Sequence, residues 1–129
     1  MDLVKLYKCL GDEQRLRIVN LLGAGPLCVC HLQEILEDSQ VKVSKQLAYL
    51  KRMGVVASEV CGTWRVYRLT EPENEVLCDN LRNLQGSGRA YAVFRADMKK
   101  RGQIMKRLEK NEAECAEPAA LVLEGRSCC

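Results

Sequence analysis

Two cysteines one residue apart, Cys28 and Cys30, stand just ahead of an apolar stretch, His31-Leu32-Gln33-Glu34-Ile35-Leu36. Thiolates are soft donors that select soft ions over Mg²⁺ or Ca²⁺, and a cysteine near a helix N-terminus has a lowered pKa. Regular helix geometry works against their sharing one ion, because positions i and i+2 point about 200° apart. Both sulfurs reach one ligand only where the first turn is extended, frayed or forced open. A ligand held there would pull on the helix that follows. The plainer alternative is that both are small buried apolar residues, a role cysteine often fills.

The elements around the pair are legible in the spacing. Leu3, Leu6, Tyr7 and Leu10 mark a first helix, stopped by Gly11. Asp12 caps a second, with Leu16, Val19 and Leu22 on one face. After the break Gly23-Ala24-Gly25-Pro26, a short helix is expected over about Cys30–Glu37. Ser39 caps another over about Gln40–Met53, ended by Gly54. The period then turns extended: Val55–Val60 and Trp64–Leu69 flank Cys61-Gly62-Thr63 and predict a β-hairpin. Pro72 restarts helix to about Gln85. A last helix carries Tyr91, Phe94, Met98, Met105 and Leu108 on a stripe read as dimer core, with Lys99, Lys100, Arg101, Lys106 and Arg107 as a solvated face. His31, the one histidine, is expected to be exposed in a first turn.

This order makes a mainly α fold with a small β-hairpin, a winged helix-turn-helix, over residues 1–110, followed by a flexible cysteine-containing tail over 111–129. The fourth helix is the one such a unit lays in the major groove of DNA. Its apolar positions Val43, Leu47 and Leu50 define a buried side, leaving Lys42, Lys45 and Tyr49 opposite and Gln40, Ser44 and Gln46 flanking. Lysine binds phosphate as a point charge, and glutamine can grip adenine with both ends of its amide. The hairpin adds Arg65 and Arg68. The formal charge of +3 implies little by itself. Between Gln40 and Arg68, however, six bases face the single acid Glu59.

The chain start lacks the basic-then-apolar pattern of a signal peptide, and no apolar run approaches membrane length. A soluble, cytoplasmic protein with no membrane partner is expected. In that setting eight cysteines point to thiols or metal ligation rather than a disulfide framework. No Ser-His-Asp set and no Gly-rich phosphate loop accompanies them, so an enzyme is not expected.

Residues 3–85 resemble the ArsR/SmtB family of metal-responsive transcriptional repressors. The resemblance rests on Leu10-Gly11-Asp12-Glu13-Gln14-Arg15-Leu16-Arg17-Ile18, on Leu27-Cys28-Val29-Cys30-His31-Leu32, on Ser39-Gln40 with Val43-Ser44-Lys45-Gln46-Leu47, and on Gly62–Leu69. It implies a homodimer built on the first and last helices, bound to an inverted-repeat operator and released by its effector. The Leu-Cys-Val-Cys stretch is similar to that of the arsenic and antimony sensors and also to that of the cadmium and lead sensors. Arsenic sensors often continue with a third cysteine, where this chain has Gln33. The family's zinc sensors use histidines between their last helices, and this chain has none after His31.

Zinc and cadmium take about four ligands, whereas trivalent arsenic takes three sulfurs in a pyramid. With two donors assured and four hard to assemble, As(III) or Sb(III) is the expected effector at Cys28 and Cys30. The third donor stays open: Cys128 or Cys129 could supply it, form a separate dithiol site or play no part, and a small thiol or water could complete the shell. Cadmium or lead, thiol oxidation as the signal, and a thiol oxidoreductase are the competing readings.

Overall fold

Three helix starts in the first half of the chain are each fixed by a short side chain that accepts a backbone N–H. Asp2 accepts from Val4 at 3.0 Å, Asp12 from Arg15 at 3.0 Å and Ser39 from Lys42 at 3.3 Å. Such caps contribute about 0.5–2 kcal/mol apiece. The computed structural model describes residues 2–70 and 75–110, so the expected tail, with Cys128 and Cys129, lies outside the described residues. The order is α1 (Leu3–Leu10), α2 (Glu13–Gly23), β1 (Leu27–Cys28), α3 (Val29–Leu36), α4 (Gln40–Arg52), β2 (Val56–Cys61), β3 (Trp64–Leu69), α5 (Glu75–Gln85), a 3-10 turn (Ser87–Ala90) and α6 (Ala92–Lys110).

The helices and the hairpin follow the sequence spacing closely. Gly62 turns the hairpin at φ 61° and Gly54 ends α4 at φ 77°, both in the left-handed region that suits glycine. The α3–α4 turn instead puts Glu37 there, at φ 53°. Leu6, Ile18, Leu21, Leu32, Ile35, Val43, Leu47 and Leu50 are fully buried together. They form one core under the helices, closed on one side by the sheet.

Strand β1 is a feature that the spacing did not reveal. The sheet runs β1-β3-β2, antiparallel throughout, with Leu27 opposite Tyr67 and Cys28 opposite Val66. A two-residue strand has no periodicity to read. Its backbone is nonetheless what attaches the hairpin to the segment entering α3.

The last helix also makes contacts within its own protomer that the spacing did not show. Met98 and Met105 pack against this chain's own core, where Ile104 and Leu108 are buried. Tyr91, at the start of the stripe, stays exposed. The basic face is exposed at Lys99, Lys106 and Arg107, as expected, and carries ion pairs as well. Arg107 makes a bidentate pair with Glu34, both contacts 3.1 Å, Lys100 reaches Glu37 at 3.2 Å, and Arg101 is partly buried.

What clamps α6 to α2 is a buried ion pair. Arg17 donates twice to Asp97, both at 2.9 Å, with the Asp97 side chain 1 % exposed. That hydrogen bond raises the Arg17 pKa against the opposing effect of burial. Breaking such a pair from one side strands the other charge, whereas replacing both with apolar groups can be nearly neutral. Asp97→Ala is expected to cost about 3 kcal/mol in urea unfolding, and the double variant Arg17→Met/Asp97→Leu less than Asp97→Ala alone. A single-variant cost too small to measure would show that α6 is held by its apolar contacts.

Candidate functional site

Cys28 and Cys30 meet without any distortion of the helix. The sequence allowed the two sulfurs one ligand only where the first turn is extended, frayed or forced open, and the structure takes the extended form: Cys28 closes β1 with φ −71° and ψ 151° and serves as the N-cap of α3. Only Cys30 is helical. The two sulfurs lie 3.1 Å apart, with the Cys30 thiol donating to the Cys28 sulfur. Cys28 is 2 % exposed, while Cys30 is open to solvent.

This arrangement splits the proton affinities of the pair. The hydrogen bond from Cys30 brings Cys28 down to a pKa of about 6, overcoming burial, and the backbone N–H groups of Cys30, Arg65 and Val29 help. Cys30 holds the remaining proton, raised well above an ordinary thiol by the same bond, by burial and by the charge on Cys28. At neutral pH the pair is one thiolate and one thiol. Arg65 is in β3, so the hairpin itself contributes a donor to the thiolate.

His31 is buried rather than exposed, and this corrects the sequence reading. It is 4 % exposed because the first turn of α3 lies under the hairpin. Its Nδ1 accepts the Cys28 backbone N–H at 3.1 Å, in the manner of a capping box. Its ring stands edge-on to Trp64 at 5.1 Å and 87°. Burial, aided by the positive charge of Arg107, pushes its pKa down to about 4. The imidazole is thus neutral, with Nδ1 as acceptor. Neither the His31–Trp64 contact nor β1 left a signal in the spacing, since both join residues distant in sequence.

An open cleft of about 680 Å³ is lined by Cys28, Cys30 and Gln33 from the α3 end, Gln40 and Ser44 from α4, and Arg65 from the hairpin. The cysteine pair and three of the expected DNA-facing residues therefore share one surface. Lys42 and Lys45 project from α4 into solvent, with Lys42 3.9 Å from Asp38. Two other expected DNA contacts, Gln46 and Tyr49, also make contacts within the chain. Gln46 accepts from Arg15 and donates to Asp12, both at 3.2 Å. Tyr49 is half-buried beneath the Arg15 guanidinium, 4.3 Å from the ring centre. Arg15 also donates to the Cys9 and Lys8 carbonyls, so it sets α4 against the ends of α1 and α2.

Two sulfurs, one already a thiolate, suit a soft ion. No third Cys, His, Asp or Glu joins them among the described residues. Cys9 and Cys61 sit elsewhere, one in the core and one on the hairpin.

Comparison with known proteins adds to this geometry. The family model described as bacterial regulatory protein, arsR family, matches residues 12–58. The chain is 46% identical over 68 residues to the arsenical resistance operon repressor of Escherichia coli (strain K12), covering 52% of this chain and 58% of that protein. With the arsenical resistance operon repressor of Bacillus subtilis (strain 168) it shares 39% over 77 residues, covering 58% of this chain and 73% of that one. Reduced HlyU from Vibrio cholerae N16961 superposes with a TM-score of 0.59 at 30% identity, over 69% of this chain and 87% of that chain. The chain spans little more than half the length of the first curated relatives that it matches.

The pKa splitting has a spectroscopic consequence. Ultraviolet thiolate absorbance is expected to rise in a step centred near pH 6, and Cys28→Ser should delete it. Cys30→Ala removes the donor and should move the step upward. Because the folded pKa lies below the ordinary thiol value of 9.0, this thiolate stabilises the fold fully only above that value. Its contribution is lost as the pH falls through about 6.

Proposed function

This chain belongs to the arsR family of bacterial regulatory proteins, and from that premise we propose that it is a transcriptional repressor. In this reading it binds an inverted-repeat operator as a homodimer and releases it when As(III) or Sb(III) is captured by Cys28 and Cys30. The observation that carries the reading is the shared cleft: the soft donor pair lies beside Gln40 and Ser44 of α4 and Arg65 of the hairpin. The names of the Escherichia coli and Bacillus subtilis relatives, both arsenical resistance operon repressors, support the choice of effector. Exposed Leu3, Val4 and Tyr7, at 51%, 60% and 51%, give α1 an apolar face for a second copy.

The DNA-facing residues divide by task. Lys42, Lys45 and Arg65 meet phosphates, while Gln40 and Ser44, at the leading end of α4, lie nearest the base edges. Gln46 and Tyr49 act one step back, holding α4 in place through Arg15. A dimer would set its two α4 helices in successive major grooves, about one helical turn apart.

Release follows from what the sulfurs give up. A captured metalloid neutralises the thiolate charge. Cys28 then no longer accepts as before from the Cys30 thiol and from the Arg65 N–H. Since Cys28 is paired with Val66 and His31 is packed on Trp64, any shift of the pair is passed to the hairpin as well as to α3. The ligand shifts the equilibrium only by its differential affinity for the two states, and such couplings are typically about 1–3 kcal/mol. The third donor, whether Cys128, Cys129 or a small thiol, affects capture affinity more than transmission.

DNA binding is tested by anisotropy on the region upstream of the gene across a salt series. Lys45→Ala should weaken binding to every sequence and reduce the salt slope by about one. Gln40→Ala should change base preference by about 1–3 kcal/mol. Gln46→Ala should lower affinity for operator and random DNA alike. An interaction insensitive to salt contradicts this reading.

The switch is tested by adding As(III) to the DNA complex. Cys28→Ser and Cys30→Ser should keep operator affinity within about threefold, less than a typical coupling energy, and lose release. Replacing Cys128 and Cys129 together should shift release to higher As(III) if the tail donates a sulfur. Release by Cd²⁺ or Zn²⁺ at lower free concentration than As(III) would assign the pair to a divalent ion instead. Loss of two protons without added mass in the released form would assign it to oxidation.

A further inference from the structure

The most exposed large apolar side chain among the described residues lies on α4, the helix that the proposed function sets in the major groove. Val41 is 67 % exposed, more than Leu3, Val4 or Tyr7 of α1. The other valine of that helix, Val43, is fully buried, so packing accounts for Val43 and leaves Val41 unexplained. Single exposed apolar residues are ordinary, but the placement of this one is specific. At about 100° per residue, it stands roughly 150° round the helix from the centre of the buried face, Val43, Leu47 and Leu50. It therefore points away from the core in the first turn, with exposed Lys45 one turn further along the same side. Helix formation does not call for it either. Valine is a poorer helix former than the lysine, glutamine or alanine found elsewhere on α4.

We propose that Val41 reads a thymine of the operator through its 5-methyl group. This rests on the DNA-binding reading and adds a base identity to it. The methyl is the apolar mark of thymine in the major groove, and small apolar side chains are what contact it. Among Gln40, Val41, Lys42, Ser44 and Lys45, Val41 alone offers an apolar end. Its neighbours are suited to hydrogen-bonding base edges or to phosphate, which positions the helix without reading sequence. The surroundings choose DNA over a protein surface. Exposed Lys42 and Lys45 of α4, with exposed Arg65 and Arg68 of the hairpin, place the valine within a positive rim that complements a polyanion.

In the test, the full chain first selects duplexes from a random pool. Each thymine of the selected site is then replaced by deoxyuridine, which lacks only the methyl. One thymine per half-site should lose about fourfold in affinity, the worth of one buried methyl or methylene group. Val41→Ala should weaken the unmodified site by about fourfold per half-site as well. It should keep the affinity for random DNA, which rests on phosphate contacts, with unfolding stability held or raised. In Val41→Ala the deoxyuridine at that thymine should cost nothing further, the mark of a shared contact. Failure to select any duplex over random DNA would overturn the DNA-binding reading and this inference with it. A selected site insensitive to every deoxyuridine, or a penalty undiminished in Val41→Ala, overturns the valine contact alone. So does a Val41→Ala chain with unchanged DNA affinity and altered self-association, which would give the valine to a protein contact.

Discussion

The backbone pairing of Cys28 with Val66 is the constraint on which the site depends. It holds Cys28 in extended conformation, which makes it the cap of α3 rather than part of the helix. Its sulfur is thereby brought over the first turn toward Cys30, 3.1 Å away. It also comes within reach of the Arg65 N–H on the adjacent strand. Without that pairing the two sulfurs would fall on opposite sides of a helix and the hairpin would have no direct link to either.

Electrostatics then sharpen what the backbone arranged. A buried thiolate is expensive unless donors surround it. Here the Cys30 thiol and three backbone N–H groups meet that need. His31 completes the unit as a neutral acceptor for the Cys28 N–H, and its ring fills the space beneath Trp64. The pair is therefore tied by hydrogen bonds and ring contact to α3 and the hairpin. Under the proposed function this dual attachment is what lets a chemical event at two sulfurs alter a DNA-facing surface.

The helical frame is tied together by two arginines whose partners lie far away in sequence. Arg15 joins the ends of α1 and α2 to Gln46 and Tyr49 of α4, and Arg17 joins α2 to Asp97 of α6. These neighbours on α2 point to different helices, so α2 orients both α4 and the last helix.

Local chemistry was enough to read the helices and the hairpin. Asp12 and Ser39 as caps, Gly54 and Gly62 as left-handed stops, and Val43, Leu47 and Leu50 as a buried face all act within a few residues of one another. The family was likewise legible in the short motifs around Arg15, Cys28, Gln46 and Trp64. Tertiary structure decided the rest, because those contacts join positions that no spacing rule connects. It turned Gln46 and Tyr49 toward α2, buried His31 under Trp64, packed Met98 and Met105 on the protomer's own core, and paired Cys28 with Val66. In each case a side chain or strand with two plausible environments took the one that satisfied a distant buried partner, and only the folded chain brings that partner within reach.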